Sequence, residues 1–209
     1  MGTGLKRKTL KGIPYYPTPT ELYNAIITSP GWPYKRGSPS LLARDRALVA
    51  LLYLGGLRVT EALRIKKGQF IAEKEYILIR GIELSKTKIN GIARRIRFRD
   101  VKLPLAGERA PFTTLVMDYV HMLKDGEDRL FPWKLEKDKR GQVPGGKRAW
   151  QIVTAILPEH TCHWLRAYCE DYLYSVWDKD MLAVADYIKV NPRQLQQYIR
   201  RRHERYSPA

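Results

Sequence analysis

Arginine, lysine, histidine and tyrosine recur in this chain in four short clusters whose side chains suit chemistry on a charged oxyanion. Gly56-Leu57-Arg58-Val59-Thr60-Glu61 sets an arginine just after a glycine pair, with a carboxylate three residues on. Ser85-Lys86-Thr87-Lys88 places two lysines where a strand gives way to a turn. His163-Trp164-Leu165-Arg166 puts His163 and Arg166 one helical turn apart on the same face. Tyr198, in Gln196-Gln197-Tyr198-Ile199-Arg200, lies thirty-two residues beyond Arg166. A guanidinium offers bidentate, permanently charged bonds to a phosphate. An imidazole can donate a further bond or take a proton. A phenol, with an ordinary pKa of about 10, is a nucleophile only once activated by its surroundings.

Each residue also has a plainer reading. Arg58 can simply pair with Glu61 at i,i+3. Lys88 competes with Lys86, His160 with His163, and Tyr206 with Tyr198. Only His163 has an arginine three residues on within an apolar-patterned helix. Tyr198 is one of 13 tyrosines, most of which must serve packing. The glutamines before it and Arg200, Arg201 and Arg202 after it favour an exposed setting facing phosphate.

Composition narrows the partner. The 209 residues include 38 Lys and Arg against 21 Asp and Glu, a formal charge of +17. The sequence pI is near 9.9. A field of that size attracts polyanions, and nucleic acid is the commonest one. A hydrophobic content of 44% is that of a folded protein. Cys162 and Cys169 lie seven residues apart in one helical segment, about 10 Å along its axis, too far for a disulfide. Neither a zinc-type Cys/His spacing nor a phosphate-binding glycine-lysine loop occurs, and no carboxylate cluster for Mg²⁺ is evident. The expectation is therefore no cofactor and no metal. No signal peptide or membrane span is apparent, so a reducing, cytoplasmic setting is expected, nucleoid-associated or in the host cytoplasm if the source is viral.

The elements that must position these residues can be outlined. Residues 1–19 read as a flexible basic arm, with Lys6, Arg7, Lys8 and Lys11 as candidate DNA contacts. Thr20 reads as the cap of a short helix to about Thr28, and residues 29–39 as loop. Ser40–Leu54 is the first strong helix, broken at Gly55-Gly56 before a further helical stretch over Val59–Ile65. Tyr76–Ile79 reads as a strand, partnered by Ala93–Phe98 across an Asn90-Gly91 turn. Helices follow over Phe112–Leu123, Ala149–Ile156, Cys162–Trp177 and Met181–Ile188, with residues 134–148 as a mobile loop. The last helix starts with Asn191 as N-cap and Pro192 at its first position.

The ordered set resembles the tyrosine recombinases, or integrase family. Gly56 to Glu61 matches the family's first arginine box, Lys86 its hairpin lysine, His163 to Arg166 its His-x-Leu-Arg box, and Tyr198 its C-terminal tyrosine. Leu130-Phe131-Pro132 resembles the segment that precedes the second arginine box. The match runs from about Leu41 to Tyr198. It implies an α+β, mainly α-helical catalytic domain with a small antiparallel sheet over residues 20–209. It implies a site-specific recombinase acting on double-stranded DNA through a 3′-phosphotyrosyl intermediate, without metal or ATP. Arg58, His163 and Arg166 would hold the phosphate, and Lys86 would protonate the departing 5′ oxygen. Lys88, Arg193, Arg200 and Arg201 would contact the DNA backbone.

Two features depart from the family pattern. Nine residues before Tyr198 the family commonly carries His or Trp, and here Lys189 stands, with Arg193 near enough to substitute. Such basic replacements resemble the divergent integrases of archaeal viruses and plasmids. The family also usually carries a separate core-binding domain ahead of the catalytic one, whereas only about forty residues precede the first strong helix here. The resemblance leaves a type IB topoisomerase-like relaxing activity and a non-catalytic DNA binder as alternatives. It implies a monomer in solution that assembles into a dimer or tetramer on DNA.

Overall fold

A computed structural model of the chain describes residues 9–10, 13–14, 17–33, 38–84, 88–89, 92–93, 98–124, 129–134, 144–158 and 160–204. Two short strands, β1 (Thr9–Leu10) and β2 (Ile13–Pro14), pair antiparallel within the basic arm. Helix α1 (Pro19–Thr28) starts earlier than the sequence suggested, because Thr18 rather than Thr20 caps it. Thr18 Oγ1 accepts from the Glu21 N–H at 3.2 Å, and the Glu21 carboxylate accepts from Thr18 N at 2.7 Å. This reciprocal pair satisfies donors that the first helical turn leaves open, and Pro19 has none to satisfy. The Pro17 carbonyl accepts the Tyr168 hydroxyl, which ties the entry of α1 to a later helix.

Helix α2 (Pro39–Gly55) ends at Gly56, which adopts the left-handed conformation at φ 53°. Helix α3 (Val59–Ala62) and a 3₁₀ turn at Lys67–Gln69 lead into the sheet. Its strands are β3 (Phe70–Ala72) and β4 (Tyr76–Glu83), followed by a small hairpin of β5 (Lys88–Ile89) and β6 (Ile92–Ala93). Strand β7 (Phe98–Pro104) completes a three-stranded antiparallel sheet of order β3-β4-β7. Helices α4 (Ala110–Met122), α5 (Pro144–Ile156), α6 (Cys162–Val176), α7 (Met181–Ile188) and α8 (Pro192–Glu204) follow. The fold is α+β and mainly helical, with a small antiparallel sheet.

Two sequence expectations need correction, and one strand is new. The partner of β4 is Phe98–Pro104, not Ala93–Phe98. Val101 and Leu103 alternate with exposed residues and pair with Ile79 and Ile77, so the strand that buries an apolar face is the one that wins. Ala93 instead pairs with Lys88, and Ile92 with Ile89, on either side of Asn90-Gly91, which lies outside the described residues. Strand β3 was not anticipated, since three residues are too few to show a period. The loop expected over 134–148 gives way to helix at Pro144. There Gly145 N donates to the Lys134 carbonyl at 2.9 Å, and a Cβ on Gly145 would meet that oxygen at 2.9 Å. The glycine that reads as a loop signal is a close-approach residue.

Helix α2 is the hub. Every residue from Ala47 to Gly55 is buried, and α4, α5, α6 and β7 pack around it. A helical stretch that is apolar on every side, as 47–55 is, must lie inside, where each large apolar side chain contributes about 1.5–3 kcal/mol. The Tyr53 ring packs in tilted contact with Phe112 at 4.8 Å and with Tyr168 at 4.9 Å between centroids. A second, smaller cluster joins Cys169 and Leu173 of α6 to Val184, Ala185 and Ile188 of α7 and to Leu195 and Ile199 of α8. Among the described residues no helix is long and apolar enough to cross a membrane.

Candidate active site

The C-terminal end of α2 organises the site. A helix leaves its last carbonyls without intrahelical partners and carries negative potential there. Three buried arginines meet that end from three different elements. Arg109 Nη2 donates to the Leu54 carbonyl at 2.6 Å, Arg99 Nη2 to Gly55 at 2.5 Å, and Arg166 Nη1 to Gly56 at 2.6 Å. Gly56 cannot be replaced without strain, because its φ is positive and a Cβ would lie 2.5 Å from Ile188 Cδ1. The glycine pair thus turns the chain and lets α7 close over the turn.

Beyond the turn Arg58 starts α3. Its backbone N–H donates to Glu61 Oε2 at 2.9 Å and its Nη1 to Glu61 Oε1 at 2.8 Å. This is the i,i+3 pair foreseen from sequence, yet Glu61 is wholly buried rather than on the surface. Glu61 Oε2 also stands 3.8 Å from Arg166 Nη1. Burial raises the Glu61 pKa, but the two Arg58 hydrogen bonds and the charges of Arg99 and Arg58 outweigh it and hold the carboxyl below its ordinary range. The pair is therefore a fixed support that aims the Arg58 guanidinium.

Arg166 comes from α6, whose start is set by Thr161 Oγ1 accepting from the Trp164 N–H at 3.2 Å. Its Nε donates to Glu170 Oε1 at 3.1 Å, one turn along. Its Nη2 is buried and has no hydrogen-bond partner among the described residues. Burial and the neighbouring Arg58 charge lower the Arg166 pKa and Glu170 raises it, while a guanidinium stays protonated throughout the working range. Leu57, Arg58, Val59, Thr60, Cys162, His163 and Arg166 line one cleft of about 240 Å³. Burial pushes the Cys162 thiol up to about 12, so it faces the cleft uncharged. Two guanidiniums and an imidazole that line one cleft are groups suited to an anion.

The other expected site residues lie elsewhere. Lys86 is outside the described residues, as are Lys6, Arg7, Lys8 and Lys11. Lys88 begins β5. Lys189 ends α7 in the left-handed conformation, with Nζ 2.6 Å from Asp186 Oδ1, and is not among the residues lining the cleft. Tyr198 is 52% exposed on α8 and is also not among them. Arg193 is exposed at the start of α8, where its N–H donates to Asn191 Oδ1 at 2.9 Å, as the Asn-Pro start implied. Arg200 and Arg201 lie on the same helix. His160 is buried, with Nδ1 2.8 Å from the Pro158 carbonyl and its ring edge-on to Trp164 at 4.0 Å.

Sequence reasoning missed the supports of the site: Glu170, Arg99 and Arg109. The signal for Arg99 was present, since it falls in phase with Val101 and Leu103 on the inward side of β7.

An α2-centred helical domain with a small sheet is a fold that solved structures share. The chain superposes on the XerH site-specific recombinase in its post-cleavage complex with difH DNA at a TM-score of 0.59 and 18% identity, covering 86% of this chain and 46% of that one. The pre-cleavage complex of XerH gives a TM-score of 0.59 and 18% identity, covering 90% and 50%. The Tn1549 transposon integrase, in complex with transposon end DNA, gives 0.52 and 15%, covering 98% and 64%. The fold is that of site-specific recombinases and integrases, and the chain spans about half the length of XerH. No protein-family model and no curated protein matches the sequence.

Proposed function

We propose that the chain cleaves and rejoins double-stranded DNA by transesterification, with Tyr198 as the nucleophile. The observation that carries this reading is the meeting of Arg58, His163 and Arg166 on one cleft, with Arg166 Nη2 buried and unpaired. The two arginines hold the non-bridging oxygens of the scissile phosphate, where negative charge grows in the transition state. The Tyr198 oxygen attacks phosphorus, and its proton passes to His163 or to water. The P–O5′ bond breaks, and Lys86 protonates the leaving 5′ oxygen, with Lys88 the nearest substitute. The products are a 3′-phosphotyrosyl bond and a free 5′ hydroxyl, and the reverse attack reseals the strand. One phosphodiester is exchanged for another, so the reaction needs neither ATP nor a metal for its energy.

The fold shared with XerH and the Tn1549 integrase, both solved with DNA, supports a recombinase or integrase role over simple relaxation of DNA. Lys6, Arg7, Lys8, Lys11, Lys88, Arg193, Arg200 and Arg201 serve the DNA backbone, and Lys189 or Arg193 supplies a further phosphate contact. Binding through phosphates makes affinity fall steeply with salt. The protein is a monomer in solution and assembles into a dimer or tetramer on DNA.

One observation favours a second reading. Tyr198 stands outside the cleft and Lys189 is held by Asp186, as a DNA binder without turnover would allow. A nicked suicide substrate separates the two, because loss of the short 5′ fragment traps the covalent adduct. The wild type is expected to give a protein–DNA band on a denaturing gel, and Tyr198→Phe none. Binding without any adduct would establish the binder.

A further inference from the structure

Arg99 is 2% exposed, yet it carries a guanidinium into the core between the cleft and the C-terminal helices. We propose that Arg99 is a positioning residue that couples the anion cleft to the α7–α8 unit bearing Tyr198. The inference rests on the reading of Tyr198 as nucleophile.

The two ends of the Arg99 fork serve different elements. Nη2 donates at 2.5 Å to the carbonyl of Gly55, the last residue of α2. Nη1 donates at 3.0 Å to the carbonyl of Tyr187, in the last turn of α7. Gly56, next to Gly55, holds Arg166, and Arg58 follows two residues later. Tyr187 lies two residues before Lys189 and eleven before Tyr198. A planar, rigid fork therefore fixes the spacing between the phosphate-holding half and the nucleophile-bearing half.

Two neighbouring contacts point the same way. Tyr187 Oη donates to the Lys102 carbonyl of β7 at 3.4 Å, and Ile188 closes over Gly56. The α7–α8 unit otherwise rests on the small apolar cluster it shares with α6 and, through α8, lies against β2. Arg99 is a poor choice for stability alone. Its burial is costly, its Nε has no hydrogen-bond partner among the described residues, and an apolar side chain would pack without that penalty. What an apolar residue cannot do is join two carbonyls on separate elements. Arg99 also adds its charge to those that keep Glu61 ionised, so it reaches Arg58 through Glu61 without entering the cleft.

The test uses Arg99→Gln and Arg99→Lys in the full chain. Three quantities are read: DNA affinity, single-turnover adduct formation on the nicked substrate, and amide hydrogen exchange. Loss of the fork is expected to slow adduct formation by about 10²-fold in Arg99→Gln, the scale for a misplaced reacting group. Arg99→Lys, which keeps the charge but reaches one carbonyl at a time, is expected to fall between Arg99→Gln and wild type. DNA affinity should change by less than about threefold, since the phosphate contacts remain in place. Exchange should rise across 181–199 and stay unchanged in 41–55. Should Arg99→Gln fail to fold, Arg99→Lys carries the same three readouts. Parallel loss of binding and cleavage, with exchange rising equally through α2, would overturn the proposal and leave a packing role, as would exchange in 181–199 unchanged from wild type. If the wild type itself forms no adduct, the nucleophile reading fails, while the exchange data still decide whether Arg99 couples the two units.

Discussion

The two halves of the proposed site are built differently. The cleft side is part of the main core: Arg58 and Arg166 rest on buried carboxylates and on the end of the deeply buried helix α2. The tyrosine side is a satellite, in which α7 and α8 share a small apolar cluster with one face of α6 and Tyr198 projects into solvent. Holding phosphate requires preorganised charge that does not move as the reaction proceeds. Delivering a nucleophile requires an element that can be brought up when DNA is bound, and such elements come from the less stable parts of a fold.

The sharpest way to break the comparison is to damage the preorganised half. Arg166→Ala removes a cleft donor and the guanidinium that pairs with Glu170 at 3.1 Å. Cleavage should fall by about 10²–10³-fold at least, as for loss of a transition-state donor. Stability should fall by about 3–5 kcal/mol, as when one partner of a buried pair is removed. Denaturant titration and adduct kinetics on one preparation check both. An Arg166→Ala protein as stable as wild type would show that the cleft is not anchored in the core.

The satellite predicts a different pattern. Leu195→Ala, at a buried position of the second cluster, should destabilise by about 2–4 kcal/mol. The loss should be local: exchange should quicken in 181–199 while α2 keeps its protection. Equal loss of protection in both would show one cooperative core and remove the distinction.

These contrasts also explain what the sequence disclosed. Arg58, His163 and Arg166, which line one cleft, could be singled out because each sits in a short local pattern, and helical spacing alone puts His163 beside Arg166; Tyr198, singled out in the same way, lies outside that cleft. The helices from α4 to α8, apart from the Gly-bearing start of α5, were legible for the same reason, since periodicity and caps such as Asn191-Pro192 are local. Strand pairing was not local: β4 takes Phe98–Pro104 because Val101 and Leu103 find Ile79 and Ile77 across the sheet. The supports were hidden for that reason too. Nothing near Arg99 or Arg109 in sequence says that the carbonyls they cap belong to α2, more than forty residues upstream. Glu61 was visible as a partner for Arg58, but its complete burial depends on α2, α5 and β4 packing against α3 from distant parts of the sequence.

The smallest predicted effect concerns acid. Glu61 is held below its ordinary value of 4.5, so its contribution is present above that value and is lost as pH falls through the depressed one. The melting temperature of the wild type should therefore drop on acidification below pH 4.5, and that of Glu61→Gln should drop less steeply. Identical acid limbs would mean that Glu61 is not the charged support of Arg58 and Arg166.

The central claim is the identity of the nucleophile, and the direct measurement is the mass of the peptide that carries DNA. Wild-type protein trapped on the nicked substrate is digested with nuclease and protease, and the nucleotide-bearing peptide is sequenced. The account predicts a single nucleotide adduct on Tyr198. A nucleotide on any other residue, Tyr206 included, would contradict it, and so would complete binding of the substrate with no adduct at all.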